Sequence, residues 1–140
     1  MNERKLSGKP FCQAFMSQIV SDIFIIAQRR ADWLRFGPTE RWEADLGKHV
    51  LPLRSLPLTE EHITMLEMAF REVQESILGS LFALIDGSSQ PPGWPDEIRL
   101  MNTDTMEVIC PEGLQWAFGL ALADYRGQLG EHKEGQDESD

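Results

Sequence analysis

The sequence lacks the motifs that mark the common enzyme classes. It contains no Gly-x-Gly-x-x-Gly fingerprint, no phosphate-binding Gly-Lys-Ser/Thr loop and no Gly-x-Ser-x-Gly nucleophile turn. Its three histidines, His49, His62 and His132, are far apart, and none belongs to a His-Glu-x-x-His zinc motif. We therefore assign no catalytic residue, metal ligand or cofactor, and an enzyme is the less favoured interpretation.

Cysteine is scarce. Cys12 and Cys110 are the only two, each lies in apolar surroundings, and no Cys-x-x-Cys pair occurs. Free cysteines of this kind behave as small buried apolar residues, and disulfides are rare in reducing compartments. The sequence therefore favours two buried free thiols in the cytoplasm over a disulfide.

An uninterrupted hydrophobic run is also missing. The first residues are basic, as in a signal peptide, but polar residues interrupt the apolar stretch that follows: Gln13, Ser17, Gln18, Ser21 and Asp22. A membrane span needs about 20 mostly apolar residues. We therefore expect a soluble cytoplasmic protein with no membrane partner.

Basic residues are fewer than acidic residues in this sequence. The 140 residues include 13 Lys and Arg against 23 Asp and Glu, which gives a net charge of −10. Such a surface repels nucleic acid and favours a basic protein partner, a cation or simple solubility. Because the final residues are polar and acidic, we expect a single globular domain over 1–127 and a disordered acidic tail over 128–140.

Two long amphipathic helices are predicted. The first begins with Pro10 at its first helical position and ends at Gly37-Pro38. The second begins after Thr59, a good capping residue, with Leu58 and Ile63 spaced as a hydrophobic staple. Five apolar residues at three- and four-residue steps predict its buried seam: Ile63, Leu66, Phe70, Val73 and Ile77.

The region between these helices is the least determined. Residues 39–43 can open a short helix capped by Thr39. Residues 50–58 are predicted to be extended, and two prolines restrict them to an edge strand or a loop.

A hairpin and a third helix complete the fold. The hairpin covers 97–110, with a three-residue loop at 102–104, Ile98 facing Val108 and Arg99 facing Glu107. A shorter helix over 112–126, with Pro111 at its first position, is apolar nearly all round and requires covering on two sides. The fold class is α+β, with two long helices and a shorter apolar C-terminal helix packed around a small antiparallel β-hairpin.

Two residues are candidates for binding a partner. Trp94 lies between Gly93 and Pro95 in a stiff loop, so its indole could be presented to a partner with little loss of entropy. The alternative is that it folds back over the core. Ile25 lies within the polar stripe of the first helix and could join such a surface.

Three acids are candidates for a ligand or cation site. Asp86 ends the second long helix, and Asp96 and Glu97 follow the proline-rich loop. Converging carboxylates can bind a cation or transfer protons. The simpler interpretation is a helix stop, in which Gly87 adopts a left-handed conformation.

Three functional hypotheses follow. The favoured one is a non-enzymatic protein-binding module, resembling small acidic inhibitor or immunity-type proteins in general character, which binds a basic protein partner. The second is a small-ligand or cation site near Asp86, Asp96 and Glu97, with or without catalysis. The third is a structural homo-oligomer, such as a homodimer, because a two-stranded hairpin is marginal alone. The identity of the partner, the oligomeric state and the role of the tail are not encoded in any recognisable motif.

Overall fold

A computed structural model describes residues 6–95 and 97–130 of the chain. Of these, 66% are helical, and the rest include one two-stranded antiparallel sheet. In chain order the elements are α1 (Gly8–Phe36), α2 (Arg41–Leu46), a 3₁₀-helix (Leu51–Ser55), α3 (Glu60–Asp86), β1 (Met101–Asn102), β2 (Glu107–Val108) and α4 (Leu114–Gln128).

The chain divides into two compact units. The first combines the segment through Ser21 with the segment from Ile77 onward, and the second runs from Asp22 to Ser76. The buried apolar residues of the first unit are Met16, Val20, Phe82, Ala83, Ile109, Cys110, Leu114 and Phe118. Those of the second are Ile23, Phe24, Ala27, Ala31, Trp33, Leu34 and Ile63.

Helix α1 confirms the predicted long first helix. It begins at Gly8, two residues before Pro10, which is tolerated because the first turn of a helix has no partners for its N–H groups. It ends at Phe36, and the next residue, Gly37, has a φ of 82°, the left-handed conformation that glycine adopts without steric cost.

The apolar content of α1 is higher than its polar interruptions indicate. An 18-residue window within it has a mean hydropathy of 1.4, so by length and composition alone this helix could cross a membrane. The core helix of a soluble protein and a signal sequence near an N-terminus meet the same criterion. The exclusion of a membrane span was therefore too strong, and the cytoplasmic location stays a prediction.

The start of α3 is confirmed in detail. The backbone N–H of His62 donates to Thr59 Oγ1 at 3.2 Å, and the N–H of Thr59 donates to His62 Nδ1 at 3.1 Å. This is a reciprocal cap of the first turn. Leu58 packs against the cluster that contains Ile63, as a hydrophobic staple requires.

The predicted seam of α3 is only partly buried. Ile63 is buried, but Val73 is 59% exposed and Ile77 is 64% exposed. Periodicity identifies one face of a helix, whereas the length of that face that is covered depends on the neighbouring elements. The seam prediction was therefore wrong at Val73 and Ile77.

The connection between α1 and α3 is helical where an extended segment was expected. Residues Leu51–Ser55 form a 3₁₀-helix, with Pro52 in its first turn and the Ser55 hydroxyl donating to the Pro52 carbonyl oxygen at 2.8 Å. The fixed φ of proline suits the start of a short helix as well as an edge strand. The short helix predicted nearby is present as α2, but Glu40 rather than Thr39 is its N-cap.

The predicted hairpin register was wrong. Met101 pairs with Val108 and Asn102 with Glu107, across a four-residue turn. Local side-chain bonds stabilise this longer turn: Asn102 Oδ1 accepts from the N–H of Asp104, and Thr105 Oγ1 accepts from that of Glu107. The left-handed position falls on Met106, with a φ of 60°.

Two further expectations were overturned near this hairpin. Arg99 lies 3.7 Å from Glu97 rather than opposite Glu107. Helix α4 begins at Leu114, three residues after Pro111, because the intervening residues form a turn.

The expectation of free thiols was also wrong. Cys12 and Cys110, 98 residues apart in sequence, form a disulfide. Composition and spacing carried no information about this pairing, which depends on the tertiary structure that brings the two Cα atoms to 5.1 Å.

The left-handed backbone of Met106 gives a first prediction. This side chain is 68% exposed, so replacing it with glycine removes little buried surface and relieves a conformation that costs an L-residue about 1–2 kcal/mol. Glycine also raises the conformational entropy of the unfolded chain, which offsets part of this gain. Met106→Gly should therefore raise the free energy of unfolding by about 0.5–1 kcal/mol, as measured by urea unfolding. Met65→Gly, at an exposed helical position, should instead destabilise it by about 1 kcal/mol, and equal effects of the two substitutions would contradict this assignment.

Candidate functional site

A large concave feature of the first unit is a groove between the start of α1, strand β2 and α4, which we call the α1–α4 groove. Its volume is about 780 Å³. One face of α1 lines it at four-residue steps, with Cys12 and Met16, and one face of α4 lines it with Trp116, Leu120 and Asp124. Two helical faces therefore form its opposite walls.

Large apolar side chains in this groove face solvent. Trp116 is 63% exposed and Leu120 is 50% exposed. The opposite side of α4 is packed, since Leu114 and Phe118 are buried and the Phe118 ring meets Phe82 edge to face. Of the two apolar sides of α4, one is thus buried in the core and the other lines an open groove.

The rim of the groove is acidic. Glu107, Glu112 and Asp124 line it together with a single cation, Lys9. The Glu107 carboxylate accepts a hydrogen bond from the N–H of Gly8 at 3.1 Å. Glu112 and Asp124 have no hydrogen bond or ion pair in the described part of the chain.

The disulfide lies at the groove itself. Both Cys12 and Cys110 are lining residues. The bond joins the α1 wall to the segment that follows β2 and leads into α4.

Asp86 holds the other wall in place. Its Oδ1 accepts from the N–H of Leu114 and its Oδ2 from that of Gln115, both at 2.9 Å. These donors belong to the first turn of α4, where unpaired N–H groups and the helix dipole favour a negative charge. Gly87 beside it has a φ of 86°, which confirms the predicted helix stop.

Of the three predicted ligand residues, the structure describes Asp86 and Glu97. Both oxygens of Asp86 are engaged with α4, and Glu97 is exposed beside Arg99. Asp96 lies outside the described residues. Within residues 6–95 and 97–130, no three His, Cys, Asp or Glu side chains come together as metal ligands.

The two predicted partner-binding residues occupy different units. Trp94 is half-buried in the first, and its indole nitrogen is buried without a hydrogen-bond partner in the described part of the chain. Ile25, in the second, is 45% exposed and lines a shallow cavity of about 370 Å³ with Arg29 and Phe36. Trp94 is thus partly buried, while Ile25 is open to solvent, and both stay predictions as binding residues.

Sequence reasoning did not select Trp116. The available signal was the apolar pattern on two sides of the last helix, which indicated that one side needed an additional cover. The pattern does not determine which of the two sides packs against the core, because the apolar residues on both sides have helical spacing.

The most perturbed carboxyl group lies elsewhere, in the second unit. Glu43 is buried, and its Oε2 accepts from the Thr39 hydroxyl and the Thr39 N–H, both at 2.7 Å, and from the Glu40 N–H at 3.1 Å. These bonds favour the charged form against the opposing effect of desolvation and lower the pKa of Glu43 from 4.5 to about 2. The nearby Trp33 indole also lowers this pKa, although its geometry falls short of a hydrogen bond. The carboxylate therefore anchors the start of α2 and has a structural role.

The capping of α4 by Asp86 can be tested by removing the carboxylate. Asp86→Ala leaves two N–H groups of α4 without their acceptors and should lower the free energy of unfolding by about 1–3 kcal/mol. Asp45→Ala, an exposed carboxylate on α2, should change it by less than about 0.5 kcal/mol. Equal losses in the two variants, measured by urea unfolding, would contradict a capping role.

The low pKa of Glu43 predicts that the stability of the fold depends on pH in the acidic range. Because the folded pKa lies below the ordinary value, the unfolded chain binds the proton first, and this contribution to stability is lost as the pH falls from about 4.5 to about 2. Glu43→Gln, which cannot titrate, should show a shallower fall in unfolding free energy over this range. Parallel pH profiles for the two proteins would show that Thr39 and Glu40 do not hold the charged carboxylate.

Comparison with protein-family models, with curated proteins and with solved structures yields no significant match.

Proposed function

We propose that this protein is a non-enzymatic protein-binding module whose α1–α4 groove takes a basic amphipathic helix of its partner. The observation that carries the proposal is the exposure of Trp116 and Leu120 inside a groove with an acidic rim. Tryptophan in a concave apolar site is a typical anchor of a protein interface.

The dimensions of the groove favour a helix as the occupant. Its α1 wall extends over residues 8–17 and its α4 wall over residues 113–124. At a rise of about 1.5 Å per residue, these walls are each roughly 15 Å long, which corresponds to about three helical turns. A helix lying between two helical faces presents apolar residues at three- and four-residue steps to both.

The charges favour a basic occupant. Glu112 and Asp124 place carboxylates at the rim that have no partner among residues 6–95 and 97–130, and the whole chain carries a net charge of −10. Long-range attraction would raise the association rate of a basic partner, and contacts with Trp116 would supply short-range affinity. An inhibitor or immunity-type protein directed against a basic protein is a concrete form of this function.

We further propose that the helices of the first unit pack around the hairpin, within one domain over residues 1–127. The Cys12–Cys110 bond and the contact of Gly8 with Glu107 support this packing, since both tie α1 to the hairpin region. The disulfide also weighs against the predicted cytoplasmic location, because such bonds persist mainly in oxidising compartments.

The groove can be tested with a designed probe. A 12-residue peptide of Leu and Lys in helical register should bind the oxidised protein, and Trp116→Ala should weaken its affinity at least 30-fold, or about 2 kcal/mol, in titration calorimetry. Trp42→Ala, an exposed tryptophan in the second unit, is the matched control and should leave affinity unchanged.

Three results distinguish this proposal from its alternatives. Equal affinity for a scrambled peptide would indicate unspecific charge attraction and would overturn the groove assignment. Loss of binding in Trp94→Ala or Ile25→Ala but not in Trp116→Ala would transfer the site to the residues selected from sequence. A dimer mass in light scattering that becomes monomeric in Trp116→Ala would show that the groove is occupied by a second copy of the chain.

A further inference from the structure

We propose that the Cys12–Cys110 disulfide is a redox switch for the α1–α4 groove, and that its reduction by a dithiol releases the α1 wall. The effect on partner binding rests on the function proposed above. The release of the wall does not, and it can be measured without a partner.

The two walls are held by different kinds of contact. Helix α4 is fixed at its first turn by the Asp86 carboxylate, which no thiol reagent alters. The first two turns of α1, residues 8–15, contain no fully buried residue, and the first buried side chain of the helix is Met16. Besides the half-buried side chains of Phe11 and Phe15, this end of α1 is held by the covalent bond at Cys12 and by the hydrogen bond from the Gly8 N–H to Glu107, and only the covalent bond is broken by a thiol.

The other half of the bond lies on a constrained backbone. Cys110 has a φ of 53°, in the left-handed region that L-residues seldom adopt. Such a conformation persists where surrounding contacts enforce it. Reduction removes one such constraint, so the segment from Cys110 to Gly113 can relax toward an ordinary conformation while Asp86 still holds α4.

A reductant has access to the bond, because both cysteines line an open groove. Cys12 is half-buried while Cys110 is only 5% exposed, so we place the attack of the reductant at Cys12. A thiolate of the dithiol forms a bond with Cys12 Sγ, and Cys110 leaves as a thiolate that takes up a proton. The second thiol of the reductant then displaces Cys12, which is protonated in turn. Two electrons pass to the protein, and the reductant becomes a disulfide.

Hydrogen exchange of the full-length chain tests the release of the wall. In dithiothreitol, the amides of residues 12–17 should exchange at least tenfold faster than in the oxidised protein, whereas α2 in the second unit should be unchanged. Equal exchange of residues 12–17 in both states would overturn the proposal. A uniform increase over the whole chain would also overturn it, because it would indicate general destabilisation.

A double variant and the designed peptide complete the test. Cys12→Ser with Cys110→Ser should reproduce the exchange of the reduced protein and should no longer respond to dithiothreitol. The Leu-Lys peptide should bind the reduced wild type at least tenfold more weakly than the oxidised form.

The two proposals fail in different ways. Faster exchange without peptide binding in either state would support the release of the wall and overturn the binding function. Equal peptide binding in both states, with exchange unchanged, would overturn the switch and leave the binding function supported.

Discussion

The contact of Asp86 with the first turn of α4 is the constraint on which the groove depends. A single carboxylate accepts two backbone N–H groups, and in doing so it joins the last residue of α3 to the beginning of another helix. The direction in which α4 leaves this point decides which of its two apolar sides is buried. Phe118 meets Phe82 on one side, and Trp116 is left on the other. The exposed apolar surface is thus a consequence of how the helix is capped.

The second unit shows the same principle on a smaller scale. Glu43 accepts three hydrogen bonds from the two residues before α2, and it is the buried residue of this short helix. In both units a carboxylate at a helix start compensates for unpaired N–H groups. These two acids therefore stabilise the fold, so part of the negative charge of the chain has a structural role.

Local signals predicted the local structure well. The cap at Thr59, the staple of Leu58 and Ile63, and the helix ends at Gly37 and Gly87 were all readable, because each depends on residues within one or two turns. The hairpin register was not, since Asn102 and Thr105 stabilise a four-residue turn that competes with the shorter one. The Cys12–Cys110 bond and the partner of Asp86 depend on residues 98 and 28 positions away, respectively, and no local pattern carries that information.

The unequal environments of the tryptophans give the protein an intrinsic optical reporter. Trp33 is 2% exposed and packs beneath the Arg30 guanidinium, whereas Trp116 is open to water in the groove. Indole emission shifts to shorter wavelength when water is excluded from the ring. Any molecule that covers Trp116 will therefore register in the emission spectrum without a label, while the buried Trp33 supplies an internal reference for the integrity of the fold.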